Sequence, residues 1–591
     1  MNPLSAHDPF APDSAAQRAI LLFAIASGVL LLVAHEALDA KALWLASRPA
    51  QSLWFTLAIA PPLMAALTVQ TLKDRRFISG MAGYVLLLAY LAFYAGRAMR
   101  PAETIEASVV ALPYTWALVA SGHVLAAWFS VWLSRTDFSY PRLFDAAWRH
   151  LSTLVQVVAY TGAFWLLLFL WGALFKALGI VFFEDLFETA RFAYPVTSLV
   201  AGYGLVLART KSSIGDAVHL RILALWRGLL PMAAVLALAF AAALLMQGVQ
   251  PLWATRHATQ LLLSLVVALV ALSNAAYGKG GEAPLHPVLK RLVQGALLLL
   301  PLFVGLAAWA LSLRWRQYGL SLDRLWAALS ISVASVYAIG YAVAAARRDA
   351  PWLQGIAPVN RIASVFTASA LLLTQTGALD FRAITAHTLQ ARGDALKAED
   401  LRYLRWELGS PGVTALEALQ AQRSLQQPES AAAIGRLLAQ KRRYEAANEI
   451  ATKTNEAIHY QQPAGANPAP AALLAALAAN PAQAFGGLDA LIAESHWLFE
   501  LELDGLPPTE WLRVALPDAW QRGRNEAVFD GFQLQGEQWR LIRRDNQWLT
   551  EPQLTALRKA LLAGEVAAMP ALYKDVVIGA RRIRFADSAP P

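Results

Sequence analysis

Glu184, Asp185 and Glu188 stand close together just after one apolar run, and Arg314, Arg316 and Arg324 bracket a short polar stretch between two others. Carboxylates and guanidiniums gathered at one partly dry face could hold a polar headgroup or an ion, or gate a pathway, because a low-dielectric setting strengthens charge pairs. The plainer expectation is a set of interfacial charges that fix helix ends. His123 is the histidine that lies well inside an apolar run. Such a side chain can relay a proton or bind a ligand, or simply hydrogen-bond a neighbouring helix. Pro61-Pro62 and Pro301 fall near the middle of their runs. A proline at mid-depth frees a backbone carbonyl, the device from which broken helices build substrate or ion sites, although many such prolines only kink the helix.

The familiar enzyme signatures are missing. His35-Glu36-Ala37-Leu38-Asp39 begins like a zincin helix, but Asp39 stands where the second histidine must be, so no metal pair forms. Gly278-Lys279-Gly280-Gly281 lacks the spacing and the Lys-Ser/Thr of a phosphate loop, and no Gly-x-Ser-x-Gly elbow occurs. Ser495-His496 has no orienting acid at a readable spacing. These readings name no catalytic residue, no cofactor and no metal ligand.

The elements that must position these residues follow from composition. Of 591 residues 57% are hydrophobic and only 15% charged, against about 25% charged in an ordinary soluble domain. With no cysteine, a disulfide framework, thiolate metal sites and a cysteine nucleophile are all excluded. The net charge of +9 is uneven: residues 1–380 carry 27 Lys+Arg against 17 Asp+Glu, the rest 23 against 24. The basic surplus thus lies wholly in the apolar part, where loop arginines orient helices. Nucleic-acid binding would need a basic face on a soluble domain, so no nucleic-acid partner is expected.

Reading from charge to charge gives eleven candidate spans, at 19–34, 49–72, 77–96, 107–134, 151–175, 192–208, 228–255, 258–278, 292–313, 325–346 and 362–379. The alternative is ten, with the seventh and eighth merged or one re-entrant. The first run reads as a retained anchor, because Asp8 and Asp13 precede a single Arg18 and no basic n-region is present. With the amino terminus inside, cytoplasmic segments hold 17 Lys/Arg and the opposite loops 10, which the positive-inside rule favours. Eleven spans then place the tail in the periplasm. Two stripes read as packing: Phe164, Trp171, Phe175 and Phe182 on the fifth span, and Ala334, Ala338, Ala342 and Ala346 on the tenth.

Beyond Asp380 the composition is that of a soluble chain. Helices are expected over 398–408, ended by Gly409-Ser410-Pro411-Gly412, then over 413–421 and 430–458. Residues 381–460 form a helical neck, and 461–486 a linker with an alanine-rich helix. Residues 487–591 form a small α+β domain with strands at His496–Leu503, Gly531–Gln535, Trp539–Arg543 and Val576–Phe585 and a helix over 551–563.

Three stretches also resemble a known family. They read GAFWLLLFLWGALFKALGIVFFEDLF over 162–187, WRQYGLSLDRLWA over 315–327 and AEDLRYLRWELGSPGVTAL over 398–416. In this order they are similar to the bacterial membrane family called domain of unknown function 4153, over about residues 140–420. The resemblance implies a polytopic bacterial inner-membrane protein and carries over no catalytic or binding residue.

The expected fold is therefore an all-α polytopic membrane bundle with a helical neck and a small C-terminal α+β soluble domain. The expected role is that of a non-enzymatic inner-membrane protein, bathed in the lipid bilayer, whose periplasmic tail meets an envelope protein or lipid partner. The alternatives are a transporter or lipid-handling protein using the proline-broken second and ninth spans, and a membrane-embedded transferase using outer-face carboxylates.

Overall fold

The computed structural model describes residues 12–100, 105, 107–210, 213–255, 257–280, 285–347, 352–424, 427–440, 460–462, 466–479, 494–502, 509–517, 526–536, 538–566, 576–578 and 581–583. The chain divides into two compact units, Met1–Ala439 and Gln440–Pro591.

The first unit is wholly helical among its described residues. In chain order the helices are α1 (Ser14–Asp39), α2 (Arg48–Thr68), α3 (Arg75–Ala98), α4 (Ser108–Leu133), α5 (Tyr140–Ala177), α6 (Phe182–Glu188), α7 (Ala190–Thr210), α8 (Ser213–Gln247) and α9 (Gln250–Ala254). There follow α10 (Ala258–Tyr277), α11 (Pro287–Leu298), α12 (Leu300–Tyr318), α13 (Leu322–Ala346) and α14 (Ile356–Leu373). The neck comprises α15 (Phe381–Gln390), α16 (Ala398–Glu407), α17 (Gly409–Arg423) and α18 (Pro428–Ala439). Ten of the described helices, counting α11 and α12 as one, are long and apolar enough to cross a membrane. Leu22, Val158, Leu166 and Leu245 are among many large apolar side chains on their outer faces that are mostly exposed. A surface of that kind is stable only against hydrocarbon; this is a multi-pass membrane protein.

The sixth expected span is α7, whose Gly, Pro and Tyr content dilutes its hydropathy. A side chain at Gly28 would meet Ser198, one at Gly202 would meet Ala24, and Arg191 pairs with Glu36 at 2.8 Å. Numbers rise along α1 as they fall along α7, so the two helices run antiparallel over their shared length. Small residues permit this close approach. Between α8 and α10, which carry the seventh and eighth expected spans, the connection contains Gly248, at φ +72°, and the short helix α9.

Two contacts fix which ends of the bundle meet which parts of the chain. Asp13 N–H donates to Gln70 O at 3.2 Å, at the end of α2 that leads into α3. Tyr94, near the far end of α3, donates its hydroxyl to Asp380 at 2.9 Å, where the neck begins. The segment before α1 and the neck therefore lie at opposite ends of α3.

The neck packs around Leu404, Leu408, Leu416, Leu419 and Ile434. Gly409-Ser410-Pro411-Gly412, expected to end a helix, ends α16 and at once opens α17. Proline is tolerated in a first turn because its missing N–H would be unpaired there. Gly409 makes the corner at φ +63°, and a Cβ on it would stand 2.7 Å from Ala98 O. Gly409→Ala is expected to lower stability by about 1–2 kcal/mol, measured as a lower melting temperature of the solubilised full chain. Tyr403 Oη accepts a hydrogen bond from Leu322 N–H at 3.1 Å. The stretches 315–327 and 398–416 thus pack on each other.

The second unit holds a five-stranded sheet of β1 (Tyr460–Gln461), β2 (Glu494–Leu501), β3 (Glu510–Pro517), β4 (Glu526–Gln535) and β5 (Gln538–Trp548), in that order. β1 and β2 are parallel and the others antiparallel. Helix α19 (Ala471–Ala479) packs Leu473 and Leu477 against Leu498, Trp511 and Phe532. On the other face α20 (Glu551–Ala563) packs Leu554 and Leu561 against Trp497, Val514 and Leu516. β6 (Val576–Ile578) and β7 (Arg581–Ile583) form a separate hairpin where the sequence predicts one strand. β1 and the alanine-rich helix α19, placed by the sequence in neck and linker, belong to this unit. The expected helix beyond Gln440, the linker residues 463–465 and 480–486, and the ends of the first and last expected strands lie outside the described residues.

Candidate functional site, a cleft along the second and fourth helices

The acidic and basic groups that stand out in the sequence occupy separate neighbourhoods. Glu184 pairs with Lys176 at 2.8 Å, and Asp185 and Glu188 act on the same ammonium. The short helix α6 that carries them packs on α5 and α7, joined by the Phe175–Phe183 and Phe187–Phe192 ring contacts. Arg324 instead donates to Gly319 O at 2.6 Å and sits in the field of Arg314, Asp323, Arg392 and Tyr403. It belongs to the seam between bundle and neck, while Arg316 is exposed on α12. Burial raises the Tyr403 phenol above its ordinary range, so it stays a neutral hydroxyl where it receives Leu322.

The mid-span prolines are likewise accommodated locally. Pro62 cannot donate to Ala58 O, and Ser27 of α1 donates to that carbonyl instead, at 2.7 Å. The carbonyl is thereby taken up by a neighbouring helix. At Pro301 the ninth span divides into α11 and α12, with Leu299 between them.

Beside α2, which runs unbroken through Pro61 and Pro62 where the sequence predicts a break, lies a cleft of about 580 Å³, walled by α2 and α4 and closed by parts of α3 and α5. Its lining runs along α2 from Arg48 to Leu67, about 28 Å at 1.5 Å per residue. That is close to the ~30 Å depth of the hydrocarbon core. The volume falls within the ~300–1,000 Å³ of small-molecule sites. Phe55, Leu63, Met64, Leu118 and Leu154 make most of the walls apolar. Ile59, Val119 and Leu151 at the margin are exposed, so the cleft opens sideways into the surroundings of the bundle. Halfway along, Thr56 and Tyr114 hydroxyls meet at 2.9 Å and tie α2 to α4. Farther along α4, beside His123, space is held open by Gly122, where an added Cβ would meet only Tyr84 Oη, at 3.7 Å.

The two ends differ in polarity. At one, Arg48, Gln51 and Ser52 line the wall, and Arg48 Nη1 donates to Gln51 Oε1 at 3.2 Å. At the other, His123 is joined by His150. His150 Nε2 lies 3.1 Å from Ser130 Oγ, while its Nδ1 is buried with no protein partner. The sequence points to His123 alone because the apolar run starts at Leu151. The helix starts at Tyr140, and this earlier start, signalled by Ser139-Tyr140-Pro141, brings His150 inside.

A second polar network lies deeper in the bundle. Tyr341 donates to Asn360 Oδ1 at 2.8 Å, Asn360 Nδ2 to Asn274 Oδ1 at 2.5 Å, and Tyr140 to the same Asn274 oxygen at 3.3 Å. It fastens α5, α10, α13 and α14 together. Among the described residues no group of three or more His, Asp or Glu is placed to hold a metal ion. No protein-family model, curated protein or solved structure matches this chain.

Proposed function

We propose that this chain is a non-enzymatic bacterial inner-membrane protein that takes a lipid sideways from the bilayer into the cleft between α2 and α4. The observation that supports this reading is the cleft itself. It is apolar along a length close to that of the hydrocarbon core, polar at both ends, and open through Ile59, Val119 and Leu151. Polar groups lining an otherwise apolar site fix the orientation of what binds. The test is the lipid that copurifies with the full chain in mild detergent, counted by native mass spectrometry. Gly122→Phe fills the cleft beside His123 and, by replacing a helical glycine, spares α4. It is expected to remove most of the retained lipid without lowering the melting temperature. Unchanged lipid would reject the reading.

The orientation we propose has the amino terminus in the cytoplasm and the neck and tail in the periplasm. The loop count of 17 Lys/Arg against 10 supports it, as does counting α7 as an eleventh span. Because the chain lacks cysteine, an introduced thiol reports without background. Ser424→Cys should react with an impermeant maleimide in intact cells, and Ser79→Cys only after permeabilisation. Membership of the family called domain of unknown function 4153 is also our proposal, supported by the packing of 315–327 on 398–416. A tail that engages an envelope partner is favoured by β5, an edge strand of its sheet among the described residues, with Leu541, Ile542 and Trp548 exposed. A photocrosslinker at Trp548 in the full chain should capture one defined protein in cells; no adduct would reject this second reading.

A further inference from the structure

We infer that the polar mouth of this cleft selects a phosphoethanolamine headgroup, with the phosphate on Arg48 and Arg100 and the ammonium on Glu417. This rests on the reading of the cleft as a lipid site and names the class of lipid. A second cleft of about 510 Å³ is lined by Ser47, Arg48, Arg100, Ser410, Val413, Thr414 and Glu417. Arg48 lines both cavities, so the polar cleft continues the apolar one at its Arg48 end. A chain lying along α2 would therefore bring its headgroup between the start of α2, the end of α3 and the neck.

The lining carries both signs of charge in an ordered way. Ser410, Val413, Thr414 and Glu417 recur at i, i+3, i+4 and i+7 of α17, and so form one face of that helix. Ser410 stands in the first turn, where the helix dipole is positive, and Glu417 lies farther along. A phosphodiester carries one negative charge over several acceptor oxygens, the chemistry guanidinium forks and hydroxyls recognise. Arg48, Arg100, Ser47, Ser410 and Thr414 supply those donors. Glu417 would be repelled by a purely anionic headgroup and is matched by a primary ammonium on the same headgroup. A quaternary ammonium has no N–H for a carboxylate, and the aromatic cage that such cations favour is missing from this lining. A phosphoglycerol headgroup would leave the carboxylate without a cation.

The full chain, freed of native lipid and offered equal amounts of phosphatidylethanolamine, phosphatidylglycerol and phosphatidylcholine with identical acyl chains, tests the inference by native mass spectrometry. The expected result is a roughly tenfold preference for phosphatidylethanolamine, the size of one charge-assisted hydrogen bond. Glu417→Gln, at an exposed position of α17, should bring that preference to near unity while total bound lipid stays unchanged. Arg100→Gln should reduce all three phospholipids together and leave diacylglycerol, which has no phosphate, unaffected. Absence of a preference in the wild type, or its survival in Glu417→Gln, overturns the inference. Gly122→Phe separates the two levels. If it clears the lipid while Glu417→Gln changes nothing, the headgroup assignment falls and the cleft reading stands. If lipid persists in Gly122→Phe, it is annular and both fall.

Discussion

Asp380→Ala is expected to destabilise the junction of bundle and neck by about 3–5 kcal/mol, the usual result of leaving one partner of a buried ion pair alone. The carboxylate is only 3% exposed and Arg382 only 6%. Asp380 accepts from Arg382 Nε at 3.0 Å and Nη2 at 3.4 Å, and from Tyr94 Oη at 2.9 Å. It also caps α15 through Arg382 N–H at 3.0 Å. Alanine removes all of these and strands a guanidinium in a dry seam. The measurement is thermal unfolding of the solubilised full chain, together with proteolysis at the turn over 391–397, which should quicken. Tyr94→Phe removes only one hydrogen bond and should lower stability by about 1 kcal/mol. A double replacement, Asp380→Leu with Arg382→Met, should be milder than Asp380→Ala, because it leaves no buried charge unpaired. If the single and double variants melt alike, the pair does not hold the junction.

Neither this buried pair nor the cleft along α2 and α4 leaves a pattern in the sequence. The eleven apolar runs all correspond to helices, because a span must be apolar along its whole length and so writes an uninterrupted signal. Helix α7 reads weakly for a physical reason. Gly202 admits α1 closely and Gly204 admits α5, so its packing is achieved by small size rather than by hydropathy. The cleft is not legible in the sequence, since its walls depend on the rotation and register of four helices. By sequence alone Arg48 is no more than a loop charge. Glu184 and Arg314 can be assigned to one side, but sharing a side is not adjacency: α6 folds back on α5, while Arg314 and Arg324 sit at the neck seam. In the tail, β3 leaves no readable pattern because Trp511, Val514 and Leu516 are buried against helices on both faces of the sheet, which erases the alternation that reveals a strand. The helix over 551–563, solvated on one side, keeps its periodicity and is legible to the residue.

The second large effect is expected at Asn360, where the bundle's polar network converges. Asn360→Leu deprives Tyr341, fully buried, of its acceptor and Asn274 of a donor. Interhelical hydrogen bonds in membranes are individually modest, about 0.6 kcal/mol on average and at most about 1.7. Two lost together would therefore amount to only about 1–2 kcal/mol. The stranded Tyr341 hydroxyl costs more, because an unsatisfied buried polar group is unfavourable by about 1–3 kcal/mol and surrounding lipid offers no substitute partner. The total expected is about 2–4 kcal/mol, seen as a lower melting temperature of the solubilised full chain. Tyr341→Phe removes the hydroxyl itself and should lower stability by only about 1 kcal/mol. Combined with Asn360→Leu it should restore part of the loss, since the stranded group is then gone. That partial rescue distinguishes a network that fastens α10, α13 and α14 through hydrogen bonds from side chains that merely fill space. If Asn360→Leu and the double variant melt at the same temperature, the network contributes packing alone.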